Sequence, residues 1–164
     1  MITLILGGAR SGKSTFAERM AARSLEPVTY VATGSATDED MANRITAHRD
    51  RRPASWATVE AAGAELADVL LHIGGTVLLD ALGTWLAWFD RFQVDAAALC
   101  DALTTRAGDT IIVSDEVGLG VHPATSVGRE FRDALGQLNQ SVAAVADDVF
   151  LIVAGRVLTL QEGP

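Results

Sequence analysis

"ITLILGGARSGKS", residues 2–14, decides how this chain is read. An apolar, β-branched run ends at Gly7, and the residues from Lys13 onward read as a helix. Between them Gly7, Gly8, Ala9, Arg10, Ser11, Gly12, Lys13 and Ser14 fit the pattern G-x-x-x-x-G-K-[ST]. The glycines let the backbone curl so that its N–H groups point at phosphate oxygens, and the following helix adds its positive N-terminal end. In such a turn Lys13 reaches the β- and γ-phosphates and Ser14 ligates Mg²⁺. A chance glycine-rich turn would lack the strand before it and the helix after it. Lys13 is also the sole lysine of the chain.

The same alternation continues outward. "VTYVA" (28–32), "TVLLD" (76–80), "TIIVSD" (110–115) and "VFLIVAG" (149–155) join "ITLIL" (2–6) as strands apolar throughout, as strands covered on both faces should be. "VLTL" (157–160) follows a turn-like Gly155-Arg156 and suits an antiparallel edge. Helical segments are expected over about 13–24, 38–52, 60–73, 95–107 and 125–146. In the third, Ala62, Leu66, Val69, Leu70 and Ile73 share one face. This order predicts one α/β domain over residues 1–164, a P-loop NTPase-type fold with a mainly parallel sheet and helices on both faces.

A length of 164 residues suits one domain with a proper core, and 49% hydrophobic with 21% charged residues is ordinary for a globular chain. The net charge of −8 argues against nucleic-acid binding and against an anionic membrane surface, which need a basic face. No apolar run is long enough to span a bilayer, the N-terminus has no basic leader, and the single cysteine, Cys100, has no disulfide partner; a cytoplasmic place is expected. Cys100 itself reads as a small buried apolar residue.

A nucleotide site needs a carboxylate at the end of a neighbouring strand to hold Mg²⁺ through water. Asp80 is the first candidate, and Asp115-Glu116 is the other. Both stand at carboxyl ends of strands, where open α/β sheets bind ligands. A strand-ending Asp also serves as a helix cap.

Residues 44–56, "RITAHRDRRPASW", gather four of the chain's thirteen cations around His48. Thr37 and Asp40 resemble a capping box, acids load the first turn, arginines the last, and Pro53 stops the helix. At helical spacing Met41, Ile45, His48 and Arg52 share a stripe flanked by Arg44 and Arg51. On spacing alone this is a solvated basic helix end or an anion site containing a nucleophile. In the second reading the arginines orient phosphate oxygens, disfavour the imidazolium and leave a ring nitrogen free to attack phosphorus.

Here "GGARSGKS", "YVAT", "DEDMANRITAHRDRRPASWATVE", "VLLDALGTW", "SDEVGLGV", "REFRDALGQLNQ" and "ADDVFLIVAG" occur in order. Together they resemble the bifunctional adenosylcobinamide kinase / adenosylcobinamide-phosphate guanylyltransferase family of cobalamin biosynthesis. The resemblance implies a recombination-ATPase-like fold and a homotrimer. It implies that adenosylcobinamide is phosphorylated with ATP or GTP, and that GMP then passes from GTP to that phosphate on a guanylyl-histidine, here His48. It implies nucleotide contacts from Gly7 to Ser14, from Ala32, Thr33 and Gly34, from Arg49, Asp50, Arg51 and Arg52, and from Glu60 and Asp80. A P-loop kinase without guanylyl transfer and a nucleotide-gated assembly factor are the competing readings.

His122 beside Pro123 suits a loop role or substrate contact. His72 suits a helix cap or the surface. Trp85 and Trp88 suit a core or subunit contact, or stacking on a flat corrin ring. Arg129, Arg132, Asn139 and Gln140 are expected on a polar helix face, which suits a solvated surface or contact with a substrate phosphate.

Overall fold

In the computed structural model, residues 1–34 and 52–161 are described. The strands are β1 (Ile2–Gly7), β2 (Val28–Ala32), β3 (Ala57–Glu60), β4 (Thr76–Asp80), β5 (Thr110–Asp115), β6 (Asp148–Val153) and β7 (Arg156–Leu160). The helices are α1 (Lys13–Ala21), α2 (Leu66–His72), α3 (Leu82–Leu86), α4 (Ala96–Thr105) and α5 (Ser126–Ala143), with a 3₁₀ turn at Asp90–Phe92. One sheet runs in the order β3-β2-β4-β5-β1-β6-β7. All its pairs are parallel except β6–β7.

Strand alternation divides the core. Leu4, Leu6, Val77, Leu79 and Ile112 face α2, α3, α4 and α5, where Leu66, Leu70, Leu82, Trp85, Leu99, Leu103, Leu135 and Leu138 meet them. Ile5, Leu78, Ile111 and Val113 face the other way onto Ala17 and Ala21 of α1. Neighbouring residues of one strand are thus buried on opposite faces, and that is why the strands read as unbroken apolar runs. Among the described residues α1 is the one helix on the second face, so the covering is two-sided but unequal.

The five apolar strands and the antiparallel edge strand lie within two residues of expectation. Two elements were not expected. β3 is an edge strand with three of its four residues exposed, so it carries no apolar run to read. The helix expected over 60–73 begins only at Leu66, because Ala61 continues the β2–β3 ladder by donating its N–H to the Ala32 carbonyl at 2.9 Å. Helix α3 is a five-residue segment too short to show a period. The expected helix over 38–52 lies, but for Arg52, outside the described residues.

The edge opposite the P-loop is closed by one side chain. Arg106 is 7% exposed, and its guanidinium donates to five acceptors. Nη1 reaches the carbonyls of Gly108 and Asp109 and the Thr110 hydroxyl, and Nη2 the carbonyls of Ile73 and Gly75, all between 2.7 and 3.1 Å. These groups belong to the turns that lead into β4 and β5. A planar fork can serve them together; an ammonium cannot. Arg106→Lys is therefore expected to lower unfolding free energy by about 2–4 kcal/mol in urea titration, through stranded carbonyls rather than lost charge. A loss below about 0.5 kcal/mol would show that the fork holds nothing.

Candidate nucleotide site

At the carboxyl edge the chain turns sharply after β1. Arg10 (φ 57°) and Gly12 (φ 96°) both take the left-handed conformation, and Gly12 is the N-cap of α1. Gly7 is sterically required, since a Cβ there would stand 2.5 Å from Ser11 Oγ and 2.8 Å from the Ile152 carbonyl. The Ser11 carbonyl accepts the Gly155 N–H at 2.8 Å, so the β6–β7 turn braces the loop from behind. Ser11 Oγ is buried with no hydrogen-bond partner among the described residues. A cradle that leaves a buried hydroxyl unsatisfied is built for an acceptor from outside the chain.

Lys13 is held by two oxygens, the Asp115 carboxylate at 2.7 Å and the Gly8 carbonyl at 3.3 Å. Of the two strand-ending carboxylates, Asp115 is therefore the one at the P-loop lysine. The reason is strand order. β5 lies directly beside β1 with Asp115 opposite Gly7, whereas β4, which carries Asp80, lies one strand further out. Asp115 is also wedged against α3, for a Cβ on Gly83 would come within 2.8 Å of its Oδ2.

Asp80 has its own setting. The hydroxyl of Tyr30, the single tyrosine, donates to Asp80 Oδ2 at 2.8 Å. The Arg52 guanidinium lies over the Tyr30 ring, 3.6 Å from its centroid. Burial first, and then the charge of Asp80, push the Tyr30 proton affinity far above the usual phenol range. Tyr30 thus stays a donor at every working pH. Its role was not read from sequence, although a lone tyrosine in an apolar strand must find a partner for its hydroxyl.

Around these strand ends a second set of contacts fixes the loops. Thr33 Oγ1 donates to the Ala81 carbonyl at 2.7 Å and accepts the Ala81 N–H at 3.0 Å, with Thr84 Oγ1 at 2.7 Å. Trp85 Nε1 donates to the Gly63 carbonyl and Trp88 Nε1 to the Thr33 carbonyl, both at 2.7 Å. Ala32, Thr33, Gly34, Glu60 and Asp80 are thereby brought to one edge with the P-loop residues and Arg52. His48, Arg49, Asp50 and Arg51 lie outside the described residues.

Asn139 is not on a polar face as expected. It is buried, accepting from Ser114 Oγ at 2.6 Å and donating to the Asp115 carbonyl at 3.1 Å. Arg129 is used locally, on the carbonyls of Pro123 and Ala124. Arg132 lies between Asp133 and His122 Nδ1. His72 caps its own helix through the Asp68 carbonyl, at the surface. Cys100 is half-buried, and burial raises its thiol pKa.

A methyl group at position 83 would stand 2.8 Å from Asp115 Oδ2, so the carboxylate whose Oδ1 meets Lys13 would have to shift. Gly83→Ala is expected to slow phosphoryl transfer by about 10- to 100-fold while the circular dichroism spectrum is kept. An unchanged rate would show that the Lys13–Asp115 contact plays no part in positioning.

A solved ATPase of a bacterial type III secretion system superposes with a TM-score of 0.55 at 10% identity, covering 96% of this chain and 56% of that one. That likeness shows the P-loop ATPase fold alone. The bifunctional adenosylcobalamin biosynthesis protein CobP of Pseudomonas aeruginosa is 41% identical, over 100% of this chain and 99% of its own length. The bifunctional adenosylcobalamin biosynthesis protein CobU of Salmonella typhimurium is 36% identical, over 94% and 97%. Residues 3–160 match the family described as cobinamide kinase / cobinamide phosphate guanyltransferase, and the chain belongs to that family.

Proposed function

We propose that this chain phosphorylates the aminopropanol hydroxyl of adenosylcobinamide with ATP or GTP, and then transfers GMP from GTP to the new phosphate through a guanylyl-histidine at His48. The observation that carries this reading is the match to a two-activity family along residues 3–160. The site geometry supports the first activity: one lysine, fixed by a carboxylate and a carbonyl, stands at a glycine turn that caps a helix.

In the kinase step the substrate hydroxyl oxygen bonds to the γ-phosphorus, the bond from that phosphorus to the β–γ bridging oxygen breaks, the nucleoside diphosphate leaves and the hydroxyl proton passes to solvent, while Lys13 exchanges its contact with Asp115 for the β- and γ-oxygens. In the second step a ring nitrogen of His48 attacks the α-phosphorus of GTP and pyrophosphate leaves. A phosphate oxygen of the substrate then attacks the same phosphorus and the P–N bond breaks. The histidine divides one hard displacement into two easier ones. Arg49, Asp50, Arg51, Arg52, Glu60, Asp80 and the Ala32–Gly34 loop are the proposed nucleotide contacts. Arg52, Ala32, Glu60 and Asp80 stand together at the ends of β2, β3 and β4.

Mg²⁺ suits the donors present. Ser14 and Asp80, with Asp115 beside Lys13, are hard oxygen groups. Among the described residues no cluster of three or more His, Cys, Asp or Glu forms a protein cage. That fits a cation that keeps most of its waters and binds through one or two carboxylates and the nucleotide. When bound, it would neutralise charge on the phosphate oxygens.

We also place the enzyme in the cytoplasm as a homotrimer. Among the described residues no helix is long and apolar enough to cross a membrane. The exposed Val153, Val157 and Leu158 on β6 and β7 offer an apolar edge for a subunit contact. Light scattering should give three times the 17.2 kDa chain mass; a monomer would remove the assembly reading.

GTP labelled at the α-phosphate tests the mechanism. Wild type should take up acid-labile, alkali-stable label, and His48→Ala none. Absence of covalent label, with cobinamide still phosphorylated, would leave a kinase alone. Nucleotide binding without either activity would leave an assembly factor. Lys13→Ala should reduce phosphorylation of cobinamide by at least about 10³-fold, since the transition-state charge loses its fixed cation.

A further inference from the structure

Helix α5 carries a glycine that its own packing does not require. Gly136 stands in the interior of this 18-residue helix. Glycine is a poor helix former, because it has the most backbone freedom to lose. Among the described residues a Cβ at Gly136 would meet nothing within 4 Å. Gly128, the other glycine of α5, differs, for a Cβ there would lie 3.0 Å from Pro123 Cβ. At Gly136 the helix gives up stability for space that the fold does not fill, so the space serves something from outside.

That space is a shallow groove of about 350 Å³, lined by Gly118 of the loop after β5 and by Arg132, Asp133, Gly136, Gln137 and Gln140 of α5. Asp133, Gly136, Gln137 and Gln140 follow helical spacing and form one stripe. The groove adjoins the candidate nucleotide site. Gly118 lies three residues beyond Asp115, at most about 11 Å of chain. Asp115 in turn meets Lys13 at 2.7 Å. From the helix side, Asn139 donates to the Asp115 carbonyl at 3.1 Å. Glu116 holds the loop by accepting the N–H groups of Gly118 at 2.6 Å and Leu119 at 3.2 Å.

Charge and hydrogen-bonding capacity select the occupant. Arg132 spends Nε and Nη2 on the Asp133 carboxylate, and Nη1 on His122 Nδ1 at 2.9 Å. The pair of Arg132 and Asp133 offers a phosphate no net positive charge, and the carboxylate repels it. Gln137 and Gln140 are exposed amides, each able to donate and to accept. A neutral ligand with carboxamides around a broad flat body matches this stripe, and the missing Cβ lets that body approach the helix backbone. Cobinamide has this form: a flat macrocycle rimmed by carboxamides, with the reacting hydroxyl at the end of an arm.

We infer that the groove on α5 is the corrinoid subsite of the phosphorylation step. The edge of the macrocycle lies over Gly136, its carboxamides exchange hydrogen bonds with Gln137 and Gln140, and its aminopropanol arm reaches past Gly118 to the triphosphate. This rests on the reading that cobinamide is the phosphoryl acceptor.

The test uses the full chain, with Gly136→Ala, Gly136→Leu and the double substitution of Gln137→Ala with Gln140→Ala. Both Gly136 variants should raise the melting temperature, since alanine and leucine are better helix formers than glycine. They should nonetheless raise KM for cobinamide, by about threefold for Gly136→Ala and at least about tenfold for Gly136→Leu, with KM for ATP changed less than about twofold. The double substitution should raise the same KM by about tenfold. A stabilised Gly136→Leu that phosphorylates cobinamide with unchanged KM overturns the subsite and leaves the kinase reading intact. A rise in KM for ATP in place of cobinamide overturns the subsite, as does a changed molar mass in light scattering, which would make the groove a subunit contact. Cobinamide and cobinamide phosphate should lose affinity for Gly136→Leu by the same factor; a loss confined to the phosphate form would make the groove an anion site and overturn the proposal. Calorimetry with cobinamide needs no turnover. Binding by wild type that Gly136→Leu weakens, without any phosphorylation, keeps the subsite and overturns the kinase reading.

Discussion

The parallel pairing of β1 with β5, Gly7 opposite Asp115, is the constraint on which the site depends. Both strands are buried on both faces, with Leu4 and Ile112 packed one way and Ile5, Ile111 and Val113 the other. A slip of one residue would exchange every one of these side chains between two cores of different shape, so the register is fixed by packing. The carboxylate of Asp115 then arrives beside the turn that begins at Gly7, and Lys13 meets it at 2.7 Å. The ion pair follows from the register.

The two edges of the sheet are built by opposite means. At the amino edge Arg106 gathers five acceptors from the turns before β4 and β5, and so closes that edge with a buried cation. The carboxyl edge carries the glycine turn that caps α1. Arg10 and Gly12 are left-handed, and Ser11 Oγ is buried without a partner among the described residues. Left-handed non-glycine residues and unsatisfied hydroxyls are costly, and a small domain tolerates them only where the surrounding structure is over-determined. Arg106 supplies that stability at the end where no ligand has to enter.

What could be read from the sequence follows the range of the interactions. The P-loop was legible because its chemistry lies in eight consecutive residues, and the buried strands because burial on two faces leaves an unbroken apolar run. β3 was not legible, because an edge strand needs little apolar surface and its only packed residue is Val59. Nor was the choice of Asp115 over Asp80 at Lys13. Strand order decides it, and no local pattern encodes which strand lies beside β1. Asn139 was misplaced for a similar reason. Counted along α5 it is one more polar residue, but Ser114 is a hydroxyl buried in a central strand, and the amide that satisfies it comes from 25 residues away.

The remaining question is how an acidic chain makes a place for a triphosphate. Thirteen cations against twenty-one acids leave an unfavourable mean field for any anion. The cations are therefore placed, not merely present. Lys13 reaches the edge on the first residue of α1, where the helix dipole adds to it. Arg52 reaches it over the ring of Tyr30, whose hydroxyl in turn holds Asp80. Neither cation is delivered by a long free side chain, and each is positioned by a group whose own contacts are fixed. The β2, β3 and β4 ends are tied to α3 through Thr33, Thr84, Trp85 and Trp88. The same helix meets Asp115, the partner of Lys13, at Gly83. The glycine turn and the β2–β4 ends are thus joined through α3, so a shift of a bound triphosphate at one end is transmitted to the other.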